Sequence, residues 1–381
     1  MQLDRRELAG AVADLGVLVP IAVALIVSNG LSATAVLLPA ALLYIAVAFV
    51  YGLPVPVQPL KAFGAIAIAN GLGSDEIAAG ALLMGAIFLV AGRLGLVDLA
   101  ARAFPRALVR GVQLTVGLLF LKIAWGLVTN PPKSFAPHSF DPAWALPLGL
   151  TVVALALALK RYAISLALVG VGTVTAVVLA AGEISLGPSA LELPSLDTGV
   201  LLTALTVLVL PQAPLSFANS CLATADAARV YFGDAKAERV QPGRLATSLG
   251  AANLFAGSIS GMPVCHGAGG LTAHHSFGAR TAAAPLVMGS GLLVLAVGFG
   301  SGLAGVLPAF PLPILAGMLA TAGLLHIGLL RDLRSVRDWG LALLVGVIGF
   351  EVNLLWALAA GLAAWWIPYG FGRLQERLAT V

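Results

Sequence analysis

The chain has 381 residues, of which 60% are hydrophobic and only 10% charged, against about 25% charged in an ordinary soluble domain. With 44 glycines, 22 prolines and a mean hydropathy of +1.00, this composition excludes a soluble enzyme, a disordered chain and a nucleic-acid binder. The net charge of +4 calls for no polyanion partner, because membrane topology accounts for where the basic residues stand.

At about 20 residues per crossing, the apolar runs divide in chain order into candidate spans at 8–28, 33–51, 58–72, 77–92, 106–128, 142–159 and 162–181. After an acidic loop come 197–216, 244–258, 265–276, 281–300, 306–329, 338–350 and 352–371. The first run is not a signal peptide. It carries Asp14, lacks a cleavage-like ending and continues into more apolar sequence. Cys221 and Cys265, the two cysteines, sit in apolar surroundings and form neither a disulfide framework nor a metal set.

Charge placement tests this division. With the N-terminus inside, fourteen crossings put eighteen of the 21 basic residues on the inner face, from Arg5 and Arg6 through Lys160 and Arg161 to Arg373 and Arg377. Lys133 alone falls in an outer loop, and Lys61 and Lys122 fall within spans. The outer loops carry Asp75, Glu76, Asp141, Glu183, Glu192 and Asp197 instead. That bias is the one expected of a membrane protein with both termini cytoplasmic.

Two of the spans are short, at 58–72 and 265–276, and each follows a Gly-x-Pro-Val sequence: Gly52-Leu53-Pro54-Val55 and Gly261-Met262-Pro263-Val264. They are the third span of each seven-span half. An odd number of crossings per half makes the halves inverted relative to each other, so the pattern predicts an inverted repeat with two broken helices, 8–181 and 197–373. Pro54, Pro56 and Pro59 cannot sit inside a regular helix. An extended stretch is therefore expected over 52–58, with a helix starting near Pro59, and the second helix starting near Cys265 or His266. A helix of about twelve residues spans roughly 18 Å, so both starts lie near the membrane midplane and face each other.

A helix start presents free N–H groups and a partial charge of about +0.5. Two of them facing one cavity make an anion site without a full positive charge. Gly267, Ala268, Gly269 and Gly270 leave the backbone bare for close approach. The reading is a small-anion site between the half-helices.

At these residues the chain resembles a known family. Pro56-Val57-Gln58-Pro59-Leu60-Lys61 and Met262-Pro263-Val264-Cys265-His266-Gly267-Ala268-Gly269-Gly270-Leu271 are similar to the two motifs of the MOT-type molybdate transporters, relatives of the SulP sulfate permeases. Phe277-Gly278-Ala279-Arg280-Thr281, Pro211-Gln212-Ala213-Pro214-Leu215 with Asn219-Ser220, and Ala13-Asp14-Leu15-Gly16 fit as well. Phe217-Ala218-Asn219 departs from the Leu-Gly-Asn more usual there. The resemblance implies an all-α protein of fourteen spans in a seven-plus-seven inverted repeat. A core bundle (spans 1–4 and 8–11) would move in elevator fashion against a gate bundle (5–7 and 12–14). It also implies import of molybdate across a plasma or bacterial inner membrane. Since the chain ends about ten residues after its last span, no C-terminal regulatory domain is expected.

Individual residues leave alternatives open. Gln58 is expected to line the site with Pro59. Lys61 either neutralises part of a dianion or pairs with Asp14 or Asp226, because an intramembrane lysine is costly and functional. His266 either hydrogen-bonds the anion or takes a proton, or is packed at the helix start, and Cys265 acts through its backbone. Asp14 is the candidate for proton coupling, against a purely structural partnership. Gln212 and, more weakly, Asn219 face the site from the eighth span. His274 and His275 are expected at the surface, and Gln113 and Lys122 in structural positions. No metal or cofactor is expected. The partners are the oxyanion, the bilayer, a coupling proton and, for a homodimer, a second copy. A sulfate permease or an anion channel on the same scaffold is the competing function. A nucleobase carrier would call for aromatic and carboxylate groups at the helix starts, and an enzyme for a catalytic cluster that is not seen.

Overall fold

A computed structural model describes residues 4–159 and 163–379. Lys160 and Arg161, assigned to the inner face by the charge pattern, lie outside them. Among the described residues a helix occupies each predicted apolar run: α1 (Arg5–Val27), α2 (Ala33–Val50), α3 (Lys61–Ala69), α4 (Ser74–Arg93), α5 (Arg106–Thr129), α6 (Pro142–Leu159) and α7 (Ala163–Leu179). There follow α8 (Thr198–Phe232), α9 (Pro242–Ser258), α10 (Ala268–Ser276), α11 (Ala283–Gly298), α12 (Leu312–Ile327), α13 (Val336–Glu351) and α14 (Leu354–Ala379). By length and apolarity six helices can each cross a bilayer, or seven crossings result if α11 and the segment Gly300–Ala309, bent 77° from it, count as one. The rest are shorter. The chain is a multi-pass helical membrane protein.

Its outer surface is apolar. Phe49, Trp144 and Val178 are each about two-thirds or more exposed, which suits contact with lipid rather than water. Inside, α2 packs on α11 and α4 on α9, while α5 lies against α12 and α13, with α6 also on α12. Small residues allow these approaches, as where α4 and α9 meet through Gly85 and Gly250.

Three local features differ from expectation. First, the half-helices begin at Lys61 and Ala268, later than Pro59 and Cys265. The residues in front of them are drawn into a two-stranded antiparallel ladder, β1 (Gln58–Pro59) and β2 (Val264–Cys265), in which Gln58 faces Cys265 and Pro59 faces Val264. Leu60 N–H extends it by donating to Pro263 O at 3.1 Å. Pro54, Pro56 and Pro59 hold the first segment extended, and extended backbone at membrane depth must find partners inside the protein. The other broken segment supplies them. Each half-helix has nine residues, or roughly 13 Å of rise.

Second, α8 does not stop at residue 216 but runs 35 residues to Phe232. Pro211 and Pro214 lack an N–H, and the helix around them widens into π-helical turns at Ala204–Val209 and Ser216–Ala223. Third, His274 is not at the surface. It is fully buried, with Nδ1 against Gly10 O at 2.7 Å and Nε2 against Tyr44 Oη at 3.3 Å. His275 stacks on Tyr231 at 4.4 Å between ring centroids.

Candidate functional site

The two half-helix starts meet at the β1–β2 ladder, and neither is capped by the side chain of its own N-cap residue, Leu60 or Gly267. First-turn N–H groups have no acceptor within their own helix. In α3 one of them is satisfied from outside: Phe63 N–H donates to Gln212 Oε1 at 2.9 Å, and Gln212 Nε2 donates onward to Ser216 Oγ at 3.0 Å. Gln212 thus caps α3 from a neighbouring helix. In α10 the first turn is Ala268-Gly269-Gly270, bare backbone facing the start of α3.

Asp14, Gln58 and Lys61 form a chain across this junction. Gln58 Nε2 donates to Asp14 Oδ1 at 2.5 Å, and Gln58 Oε1 accepts from Lys61 Nζ at 2.6 Å. All three are buried. Asp14 reaches the junction because α1 tightens into a single 3-10 turn at Val12–Asp14. Lys61 is therefore joined to Asp14 through an amide, and Asp226 is engaged elsewhere. The chain lies directly on the second helix start. A Cβ on Gly267 would stand 2.0 Å from Gln58 Oε1, and one on Gly270 would stand 2.6 Å from Gln58 Nε2 and 2.7 Å from Asp14 Oδ2. A side chain at either position would displace Gln58 from this place. On the far side Phe120 of α5 covers Gly269, and Lys61 Nζ lies 5.7 Å from the centre of its ring.

His266 is turned away from this chain. Its Nδ1 lies 3.0 Å from Pro56 O and its Nε2 2.8 Å from Ser248 Oγ, with Tyr51 edge-on at 5.9 Å. Both ring nitrogens are occupied by protein, the arrangement of the packed alternative. Cys265 Sγ is 3.4 Å from Pro59 O and is buried, so its place in the site is through the strand backbone. Pro59, opposite Val264 in the ladder, accepts that thiol's hydrogen bond on its carbonyl. Asn219 is buried with Oδ1 lacking a partner among the described residues, as does Asp14 Oδ2.

Two residues that hold the site escape sequence reasoning. Asn253 of α9 grips β2 with both ends of its amide, Nδ2 to Val264 O at 2.8 Å and Oδ1 from Val264 N–H at 2.7 Å. It behaves as a third strand for that residue. Ser248, five residues earlier on the same helix, holds His266 and Tyr51 together. The available signal was an asparagine within an apolar run. Among the described residues no group of three His, Cys, Asp or Glu side chains could hold a metal ion.

The sequence profile described as a molybdate transporter of the MFS superfamily matches residues 6–120 and 204–325, more than half of the chain and both half-helices. The chain belongs to the molybdate transporter family. This transporter is 27% identical over 411 residues to molybdate transporter 1 of Arabidopsis thaliana, covering 96% of this chain and 89% of the relative. To molybdate transporter 2 of the same plant it is 28% identical over 378 residues, covering 87% and 80%. Its fold is similar to the transmembrane domain of a cyanobacterial bicarbonate transporter, BicA, with TM-score 0.55, 20% identity, and 94% and 96% of the two chains covered. It is also similar to the murine anion transporter Slc26a9 in the inward-facing state, with TM-score 0.63, 14% identity, and 96% and 68% covered. At those identities the structural likeness concerns the fold alone. It shows that the transporter shares the helical membrane architecture of these two proteins.

Proposed function

We propose that this protein is a secondary active transporter that imports molybdate, bound between the starts of α3 and α10. The observation that carries this reading is the pair of helix starts, neither capped by its own N-cap side chain and held start to start by the β1–β2 ladder, with Ala268-Gly269-Gly270 bare on one side and Gln58 and Lys61 on the other. First-turn N–H groups, the two helix dipoles and one ammonium together suit a tetrahedral dianion. Membership of the molybdate transporter family supports the choice of molybdate over sulfate.

In this reading Gln58, Lys61 and the backbone of Gly267, Ala268 and their neighbours contact the anion. Gln212 and Asn219 support the site from α8, while Pro59, Cys265 and His266 hold its walls. Asp14 is the coupling group. Its carboxylate lies beside the second helix start, where it repels a dianion when ionised and ceases to do so when it takes a proton. Symport of protons with molybdate follows from that position, and it helps import against a negative interior. The fourteen helical segments are read as seven plus seven, inverted, with α1–α4 and α8–α11 sliding as one body past α5–α7 and α12–α14. Both termini are cytoplasmic, in a cell membrane.

The test is calorimetric titration of the purified protein with molybdate, followed by competition with sulfate. Tight molybdate binding that excess sulfate barely displaces is the expected result. Preferential sulfate binding assigns the protein to sulfate transport, and binding of neither removes the ligand assignment.

A further inference from the structure

Away from the helix starts, the most densely charged interior cluster centres on Arg110 of α5, whose side chain is fully buried. Its guanidinium holds two carboxylates at once. Nε and Nη2 donate to Asp332 at 2.9 and 2.6 Å, and Nη1 donates to Asp226 and, at 2.8 Å, to Gln113 Oε1. Gln113 Nε2 also reaches Asp226, at 3.1 Å.

The two carboxylates come from different packing groups. Asp332 follows α12, which packs along α5, so the pair Arg110–Asp332 lies within one group. Asp226 is on the last part of α8, which packs against α9 and α10. Arg110 and Gln113 therefore tie the α5–α12 group to the group that carries the second half-helix. Gln113 Nε2 also reaches Ala223 O of α8 at 3.4 Å, and α10 packs on α12 across the same seam. Thr272 of α10 meets His326 Nδ1 of α12 at 2.7 Å, and Tyr231 of α8 donates to Thr272 at 3.0 Å.

Two features indicate what passes along the seam. His326 is fully buried, and its Nε2 has no partner among the described residues. A buried polar nitrogen left unpaired is costly unless a ligand or water visits it. Asp332, the partner of Arg110, also lines a cavity of about 810 Å³ with Arg106, Arg331, Arg334, Asp338 and Trp365. Lys61, His326 and Arg110 thus stand between the helix starts and this cavity, and Asp226 and Asp332 offset the charge of Arg110 while the seam is closed.

Resting on the transport reading above, we infer that this seam is the anion's way out and that Arg110 is its second station. Asp226 closes the seam by occupying the guanidinium. When the two groups part, Asp226 leaves with α8, and the departing oxyanion takes the vacated Nη1. Asp226 is held by Nη1 alone, and that donor serves a carboxylate or a tetrahedral oxyanion alike through a charge-assisted hydrogen bond. Arg110 keeps Asp332 throughout and is never left as a bare buried charge.

The closing part is tested without substrate. Cys221 and Cys265, the two cysteines, are buried near the helix starts, so their alkylation by N-ethylmaleimide in purified protein reports opening of the seam. Asp226→Asn is expected to raise the alkylation rate by roughly 10- to 100-fold, the population change that follows loss of a charge-assisted hydrogen bond. Asp332→Asn removes a carboxylate from the same arginine but none from across the seam, and is expected to leave the rate near wild type. Asp226→Glu should restore it. Equal acceleration in both Asn variants, or none in either, overturns the latch. If Asp226→Asn shows no melting transition, Gln113→Leu, which removes only the amide tie, is expected to accelerate alkylation to a smaller degree, and an unchanged rate overturns the latch. For the anion itself, Arg110→Lys keeps the charge and loses the fork. Molybdate binding by calorimetry should persist while uptake into vesicles falls, and unchanged uptake overturns the station. Wild-type protein that binds no molybdate refutes the transport reading and leaves the alkylation result standing by itself.

Discussion

Gln58 stands between Asp14 and Lys61 and gives each what it needs, an amide N–H to the carboxylate and an amide oxygen to the ammonium. Removing either partner of such a buried set strands a charge. Gln58→Ala is expected to weaken molybdate binding by about 10- to 100-fold, on the scale of a lost hydrogen bond to a charged group. Calorimetry checks it, and unchanged affinity would take Gln58 out of the site. Gly267→Ala places a methyl group 2.0 Å from Gln58 Oε1 and is expected to abolish uptake while the protein still melts cooperatively. A Gly267→Ala variant that transports normally would show that Gln58 does not occupy this position during turnover. Gln58, Lys61 and Asp14 were legible in the sequence as polar residues where none belong. Which of them touch was not, since an amide that bridges two charges leaves no mark in residue order. His266 shows the reverse case. Its place beside a bare glycine run invites a role as ligand, yet Pro56 O and Ser248 Oγ take both nitrogens.

At the scale of elements, β2 is held by Asn253 as much as by β1. Asn253→Ala leaves the N–H and C=O of Val264 buried without their partner, at about 1–3 kcal/mol for each unpaired group. A clear fall in melting temperature is expected, with molybdate affinity falling alongside. Asn219→Ala makes the contrast, because its Oδ1 has no partner to lose. Its melting temperature should stay near wild type, and any change in affinity would then mark contact with ligand. The broken helices were readable because proline and glycine punctuate the chain without regard to tertiary context. The length of α8 was not. Ser216, Asn219 and Ser220 read as the end of an apolar run, whereas in the fold they are the buried face of a helix that widens around Pro211 and Pro214.

For the whole molecule, ligand that binds only the folded state stabilises it by about 2.7 kcal/mol at a hundred times its dissociation constant. Molybdate is therefore expected to raise the melting temperature in detergent in a concentration-dependent way, and sulfate to do so far less. Equal shifts from both would argue against a dedicated molybdate site. That the chain is a multi-pass helical membrane protein was legible because lipid demands apolar runs, and these are counted along the chain. The ladder joining 58 to 265 was not, since two residues per strand carry no periodicity. That ladder also bears on how the protein is made. Gln58 and Cys265 are 207 positions apart, so at a synthesis rate of roughly 5–20 residues per second the first broken segment waits about 10–40 s for its partner. During that time a proline-rich strand and an unpaired lysine stand at membrane depth with their backbone unsatisfied. The nascent first half must therefore be sheltered by the insertion machinery, or kept out of the lipid, until the second half arrives.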